Sequence, residues 1–205
     1  MDTAFLITAF VTLLVIIDPI GLTPVFVALT QGISPAQRRT IALRACLTGT
    51  GILMVFAAFG ESVLGFIGIS MHAFRIAGGI LLFLTALEML FERRTKRRET
   101  RNEEEDHPDP SVYPLAIPLI SGPGAITSVI LLAGEQPGWI GWAGIVAVLM
   151  VIILLVYLMF LTAGLFERAL GKTGINVITR LLGMLLAALA VQFVLDGLRG
   201  FGLAG

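Results

Sequence analysis

Apolar residues gather into six blocks along the chain, at 5–30, 41–59, 74–91, 112–133, 139–165 and 177–195, and most charged residues fall in the gaps between them. About 20 residues, with a range of 17–25, carry a helix across the hydrocarbon core of a bilayer. The pattern therefore predicts an all-α membrane protein with six transmembrane helices. Between the third and fourth blocks lies the one strongly charged stretch. It opens with Arg93, Arg94, Lys96, Arg97 and Arg98 and closes with the acidic run Glu103, Glu104, Glu105 and Asp106. Such a run reads as a solvated linker. It divides the chain into a first half at 1–91, a linker at 92–111 and a second half at 112–205.

The distribution of Lys and Arg predicts an orientation. With six crossings, the loops after the first, third and fifth share one side. That side collects Arg38, Arg39, Arg44, Arg93, Arg94, Lys96, Arg97, Arg98, Arg101, Arg168, Lys172 and Arg180, against Arg75 and Arg199 on the other. The basic side is expected to be cytoplasmic, with both termini outside. The start, Met1-Asp2-Thr3, lacks the basic residues of a secretory signal, so the first block is read as a retained span.

The two halves resemble each other. LGFIGIS at 64–70 pairs with LGKTGIN at 170–176, and R-x-x-G recurs at Arg75–Gly78 and Arg180–Gly183. More loosely, DPIGLT at 18–23 pairs with GPGAIT at 122–127. Three matches in the same order at nearly one offset favour duplication. Each half holds an odd number of spans, so the second must enter the membrane inverted. Inverted repeats are a recurring design of secondary transporters, whose sites lie near the midplane at interrupted helices.

The interruptions here are Asp18-Pro19-Ile20-Gly21 with Pro24 in the first span, and Pro114, Pro118 and Ser121-Gly122-Pro123-Gly124 in the fourth. Proline frees backbone carbonyls, and irregular backbone survives at membrane depth only inside protein or beside water. The expected fold thus has broken helices 1 and 4, and a chamber where they meet. Asp18 lies roughly 20 Å into its span at ~1.5 Å per residue. A carboxylate at such depth is a candidate proton or cation site, although capping the next helix segment is a competing role. Gly21, Thr23, Ser121, Gly122, Gly124 and Thr127 would line the breaks. Arg75 and Arg180 would flank the chamber, pairing with Asp18 or an anionic group, and Gln192 would reach it from deep in the sixth span. Ser70 and Asn176 fit helix N-caps.

Composition agrees: 57% of residues are hydrophobic, 14% are charged and the mean hydropathy is +0.94. Soluble domains carry about 25% charged residues. The formal net charge of zero offers no footprint for nucleic acid. Cys46, the single cysteine, excludes an internal disulfide, and no metal or cofactor is expected. His72 and His107 lack metal-ligand spacing. Gly171-Lys172-Thr173 is not a phosphate loop, because six residues separate it from Gly164 where such a loop has four. No G-x-S-x-G occurs, so an enzyme is not expected.

At these residues the sequence resembles the MarC family of bacterial inner-membrane proteins. The matching elements are Asp18-Pro19-Ile20-Gly21 with Pro24, Ile69-Ser70, Arg75-Ile76-Ala77-Gly78-Gly79, Ser121-Gly122-Pro123-Gly124-Ala125-Ile126-Thr127, and Arg180-Leu181-Leu182-Gly183 leading to Gln192. The linker is the least family-like part. The family is similar in architecture to LysE-type exporters, which implies six spans, a transporter-like fold and an inner-membrane location. It implies no substrate. The reading is a secondary transporter or exporter of a small solute or ion, with the lipid bilayer as its medium and a homo-oligomer as a compatible state. The alternative is a non-transporting scaffold that uses the basic loop.

Overall fold

The structure, a computed structural model, describes residues 3–91, 109–136 and 138–202. Residues 92–108, most of the linker with its expected cytoplasmic position, lie outside the described residues. Among those residues every regular element is a helix. α1 (Thr3–Ile17) and α2 (Pro19–Leu29) follow one another through Asp18, then come α3 (Pro35–Ile67) and α4 (Met71–Leu90). The second half holds α5 (Ser111–Ile120), α6 (Pro123–Glu135), α7 (Trp139–Leu161) and α8 (Ala163–Gly200).

Five helical stretches are long and apolar enough to cross a membrane: Thr3–Leu29, α3, α4, α7 and Thr173–Gly200. Taking α5 and α6 together as one bent span gives a sixth, with 54° between its parts. α3 and α8 run well beyond the apolar blocks that announced them. Ser34 explains the early start of α3: its hydroxyl accepts from the Gln37 N–H, and Pro35 at the first helical position has no N–H to leave unsatisfied.

α5 is a wide coil rather than an α-helix. A residue before proline is pushed into extended conformation, and Tyr113 and Ile117, each before a proline, are extended. Both X–Pro bonds are cis. The hydrogen bonds of α5 skip to the fifth residue back, as from Leu115 N–H to Pro110 O (3.2 Å) and Ser121 N–H to Ala116 O (2.9 Å).

The core is filled by Leu13, Ile17, Leu22, Phe26, Leu53, Leu82, Leu115, Ile120 and Ile145, all fully buried. Phe26 of α2 stacks on Phe160 of α7, with centroids 4.2 Å apart. α3 packs on α5, α6 and α7, while α7 also packs on α1 and α2. Glycines admit the close approaches on α3. A Cβ on Gly49 would lie 2.6 Å from Ile120, and one on Gly60 would run into Ile130. Large side chains such as Phe59, Phe66, Leu154 and Leu185 remain exposed, as suits a surface solvated by lipid.

The most extensive contact is between α4 and α8. A Cβ on Gly197 would lie 2.9 Å from the His72 carbonyl oxygen, one on Gly79 2.7 Å from that of Ala190, and one on Gly183 3.4 Å from that of Ala86. The pairs 72–197, 79–190 and 86–183 advance by seven residues on one helix and retreat by seven on the other. This is an antiparallel register with a seven-residue repeat, the spacing that keeps one seam in contact over many turns. Close backbone approach through small residues is the usual glue where lipid removes the hydrophobic drive.

α4 starts where expected, with the Ser70 hydroxyl accepting from the Ala73 N–H at 3.2 Å. Asn176 is not the corresponding cap. The backbone breaks earlier, at Gly171 (φ 64°, ψ 170°), and Asn176 sits within the helix. Glycine alone reaches that conformation without strain, so the turn moved to it.

At the other end of the molecule Arg44 meets Asp109 at 3.0 Å. Ser111, whose hydroxyl and backbone N–H face the Asp109 carboxylate, holds it below its usual pKa, and Arg44 adds to this. A depressed folded-state pKa stabilises above the unfolded value, about 3.9, and that contribution disappears as pH falls through the folded value. The difference in melting temperature between wild type and Asp109→Asn is expected to be constant above about pH 5 and to vanish in stronger acid. Because both side chains are well exposed, the stability behind that difference stays below about 1 kcal/mol. A melting series against pH checks it.

Candidate functional site

The first interruption turns on one residue. Asp18 adopts φ 52°, ψ 67°, the left-handed region that Asp and Asn tolerate better than other side-chain-bearing residues. The helix nearly continues through it: its N–H donates to Leu14 O and its carbonyl accepts from Leu22 N–H, both at 3.0 Å. What the sequence removes are the N–H groups of Pro19 and Pro24, which leave the Val15 and Ile20 carbonyls without their α-helical donors. Asp18 Oδ1 accepts from the Gly21 N–H at 2.9 Å, so the carboxylate caps α2. A Cβ on Gly21 would run into that carboxylate, which is why glycine stands there. The side chain is 2% exposed. Thr23, fully buried, donates its hydroxyl to Pro19 O at 2.9 Å, rebonding to its own helix.

The second interruption lies between α5 and α6. The Ser121 hydroxyl and N–H both donate to Ala116 O, at 2.7 and 2.9 Å. Gly122 caps α6 without a side-chain hydrogen bond, and a Cβ there would stand 2.6 Å from Pro118 O. Gly124 is buried where α6 meets α1 and α4. A Cβ on it would lie 3.5 Å from Ile16 Cγ2 and 2.8 Å from Leu82 Cδ2. α6 packs on α1, and any side chain at Gly124 would touch Ile16, two residues before Asp18. One turn on, Thr127 is buried with its methyl group against Gly78. Ser128 beside it is also fully buried, and its hydroxyl has no hydrogen-bond partner. Sequence reasoning passed over Ser128. The signal was the Thr-Ser pair one turn beyond the break, a polar patch in an apolar helix.

The structure does not bring the other candidates to this place. Arg75 Nη2 lies 2.9 Å from Glu135 Oε1, so its partner is the last residue of α6 and not Asp18. Electrostatics explains the choice. A cation in the first turns of α4 opposes that helix's dipole, whereas at the C-terminus of α6 it is favoured, and the Glu135 carboxylate gains likewise at the start of α4. Arg180 stands exposed on α8. Gln192 is exposed too, and its Nε2 donates to Asp196 Oδ1 at 2.8 Å on the same helix. Hydropathy reports depth along a span but not which way a side chain faces, so Gln192's expected place in the chamber is corrected to the surface of α8. Among the described residues no three His, Cys, Asp or Glu side chains gather at one point. A cation at the breaks would take its oxygens from Asp18, carbonyls and hydroxyls.

A groove of about 310 Å³ adjoins the second break, bounded by α3, α4 and α6, with Pro123 and Thr127 on its wall.

Comparison with known proteins agrees with this architecture. The chain is 37% identical over 196 residues to a UPF0056 membrane protein of Aquifex aeolicus, covering 94% of this chain and 92% of that one. It is 35% identical over 205 residues to the UPF0056 membrane protein YvbG of Bacillus subtilis, covering 98% and 97%. To the UPF0056 inner membrane protein YhgN of Escherichia coli it is 34% identical over 194 residues, covering 95% and 96%. No solved structure matches the chain. The family model for MarC family integral membrane proteins matches residues 3–201, nearly the whole length. The chain is therefore a multi-pass integral membrane protein and belongs to the MarC family.

Proposed function

We propose that this protein is a secondary transporter of a small solute, with its site where the interrupted first and fourth spans touch. The observation that carries the reading is their buried contact. The helix start after Ser121-Gly122 reaches the turn at Ile16, two residues before the buried carboxylate of Asp18. An ionisable group inside a membrane protein is costly, and a functional role is its default explanation. No enzymatic step is part of this reading.

The proposed frame is two inverted three-span repeats, 1–91 and 112–205. An in-plane pseudo-two-fold would match contacts of span two with span four to those of span five with span one. It would likewise match span three on span four to span six on span one. The observed packing of α3 on α5 and α6 beside that of α7 on α1 and α2 supports it, as does α4 on α6 beside α8 on α1 and α2. The proposed orientation puts Arg38, Arg39 and Arg44, at the start of α3, in the cytoplasm and both termini outside. Alternating access would rock one repeat against the other.

The test is a reversible lock. In a Cys46→Ser background, Ile16→Cys and Gly124→Cys would set their Cβ atoms at most about 5 Å apart, close enough to bridge after a small shift. Oxidation is expected to stop solute flux in proteoliposomes, and reduction is expected to restore it. Unchanged flux with the bridge fully formed would mean that the breaks are static packing kinks. Absence of flux for every solute class, in folded protein, would leave the scaffold reading.

A further inference from the structure

The groove beside the second break has a chemistry of its own. Its walls are Phe56, Val63 and Leu64 of α3, Phe74 of α4, and Ile126 and Ile130 of α6. Val63 is 48% exposed and neighbouring Phe59 is exposed as well, so the groove opens toward the lipid-facing side of α3. At one end, where α3 finishes, α4 begins and α6 finishes, stands the Arg75–Glu135 pair. Phe74 of the wall precedes Arg75 in sequence, and Glu135 lies roughly 7.5 Å of helix rise beyond Ile130. Met71 meets Gly134 at the same end, where an added Cβ would be 3.2 Å from its Cε. Trp139, four residues beyond Glu135 and highly exposed, fits the aromatic belt at a membrane interface. An apolar trough thus runs along the hydrocarbon layer and ends, at headgroup level, in a cation beside an anion. A single partially exposed ion pair contributes little to folding, so both of its charges can be shared with a ligand at small cost.

We propose that the groove binds a zwitterionic phospholipid, with an acyl chain along Phe56, Leu64 and Ile130, the phosphate at Arg75 and the amine at Glu135. Charge complementarity selects this occupant. A headgroup that carries phosphate beside ammonium repeats, with signs reversed, the guanidinium beside the carboxylate. An anionic lipid would satisfy Arg75 but leave Glu135 facing negative charge. This site does not depend on whether the chain transports.

Native mass spectrometry of the full chain in mild detergent tests it, titrating phosphatidylethanolamine against phosphatidylglycerol of equal chain length. Wild type is expected to retain the ethanolamine lipid about tenfold better. Glu135→Gln is expected to erase that preference. Val63→Trp, which fills the groove from its exposed edge, is expected to lower retention of both lipids by about tenfold. Leu158→Trp on the exposed face of α7 is expected to leave retention unchanged. Equal retention of the two headgroups by wild type, or equal losses in the two tryptophan variants, would overturn the proposal in favour of nonspecific annular lipid. Should Val63→Trp fail to fold, wild type with an ethanolamine lipid bearing a photoreactive acyl chain decides. Adducts concentrated on α3 and α6 around Phe56 and Ile130 are expected, and adducts spread over α7 and α8 would sink the idea.

Discussion

Gly79→Leu is expected to abolish the folded, monodisperse protein, whereas leucine at Gly51 is expected to leave it intact. The contrast follows from what a side chain would meet. At Gly79 the first carbon would stand 2.7 Å from the Ala190 carbonyl oxygen and 3.1 Å from the Val194 backbone nitrogen, and neither atom can move without its helix. At Gly51 nothing lies within 4 Å. Pushing α8 away from α4 at the middle contact of their seven-residue register also loosens the contacts at Gly183 and Gly197. The loss should therefore reach or exceed the ~3 kcal/mol upper end of ordinary overpacking. Gly79→Ala carries the same first carbon against the same backbone atoms but nothing beyond it, and is expected to cost about 2 kcal/mol. Thermal melting followed by size-exclusion chromatography separates these outcomes. A normally folded Gly79→Leu protein would mean that α4 and α8 are not held at this spacing.

Some of this architecture was legible because it depends on neighbours in sequence. Pro19 has no N–H, so an interruption near Asp18 could be read from the dipeptide. Ser70 precedes an apolar block and caps it. Charges excluded from apolar blocks marked the spans. The failures share a different cause. Arg75 finds Glu135 sixty residues away, and no periodicity announces which of several carboxylates a folded chain will deliver. The offset between halves suggested that Asn176 mirrors Ser70, but a glycine at 171 offered an easier place to turn. Pro114 and Pro118 marked irregular backbone but not its form, because two extended residues spaced by four make a coil that neither helix nor strand rules describe. The α4–α8 seam was spelled out in small residues seven apart on both helices. Its meaning needed the antiparallel register that only three dimensions supply. Proline and glycine marked where the backbone departs from a regular helix, whereas Gln192, assigned from depth alone, lies on the surface of α8.

Substitutions at Asp18 are expected to separate its structural role from its functional one. Asparagine caps a helix as well as aspartate and tolerates the left-handed region, so Asp18→Asn should keep stability within about 0.5 kcal/mol of wild type. Alanine does neither. It loses a cap worth about 1 kcal/mol and adds about 1 kcal/mol for a Cβ held at positive φ without local hydrogen bonding. Asp18→Ala should therefore melt lower by the sum, about 2 kcal/mol. Flux should follow the opposite logic. If the carboxylate takes up a proton or a cation during transport, Asp18→Asn removes that chemistry as fully as alanine does. Flux in proteoliposomes should then fall at least ~100-fold in both variants, about 2.7 kcal/mol in the barrier. Gly21→Ala, whose methyl would press on the carboxylate without removing it, should lie between wild type and these. Normal flux in a stable Asp18→Asn protein would reduce Asp18 to a cap, and the transporter reading would lose the ionisable group at its centre. Loss of flux with stability preserved would put the carboxylate into the transport cycle, because asparagine keeps the cap, the backbone and the burial while removing the ionisable group.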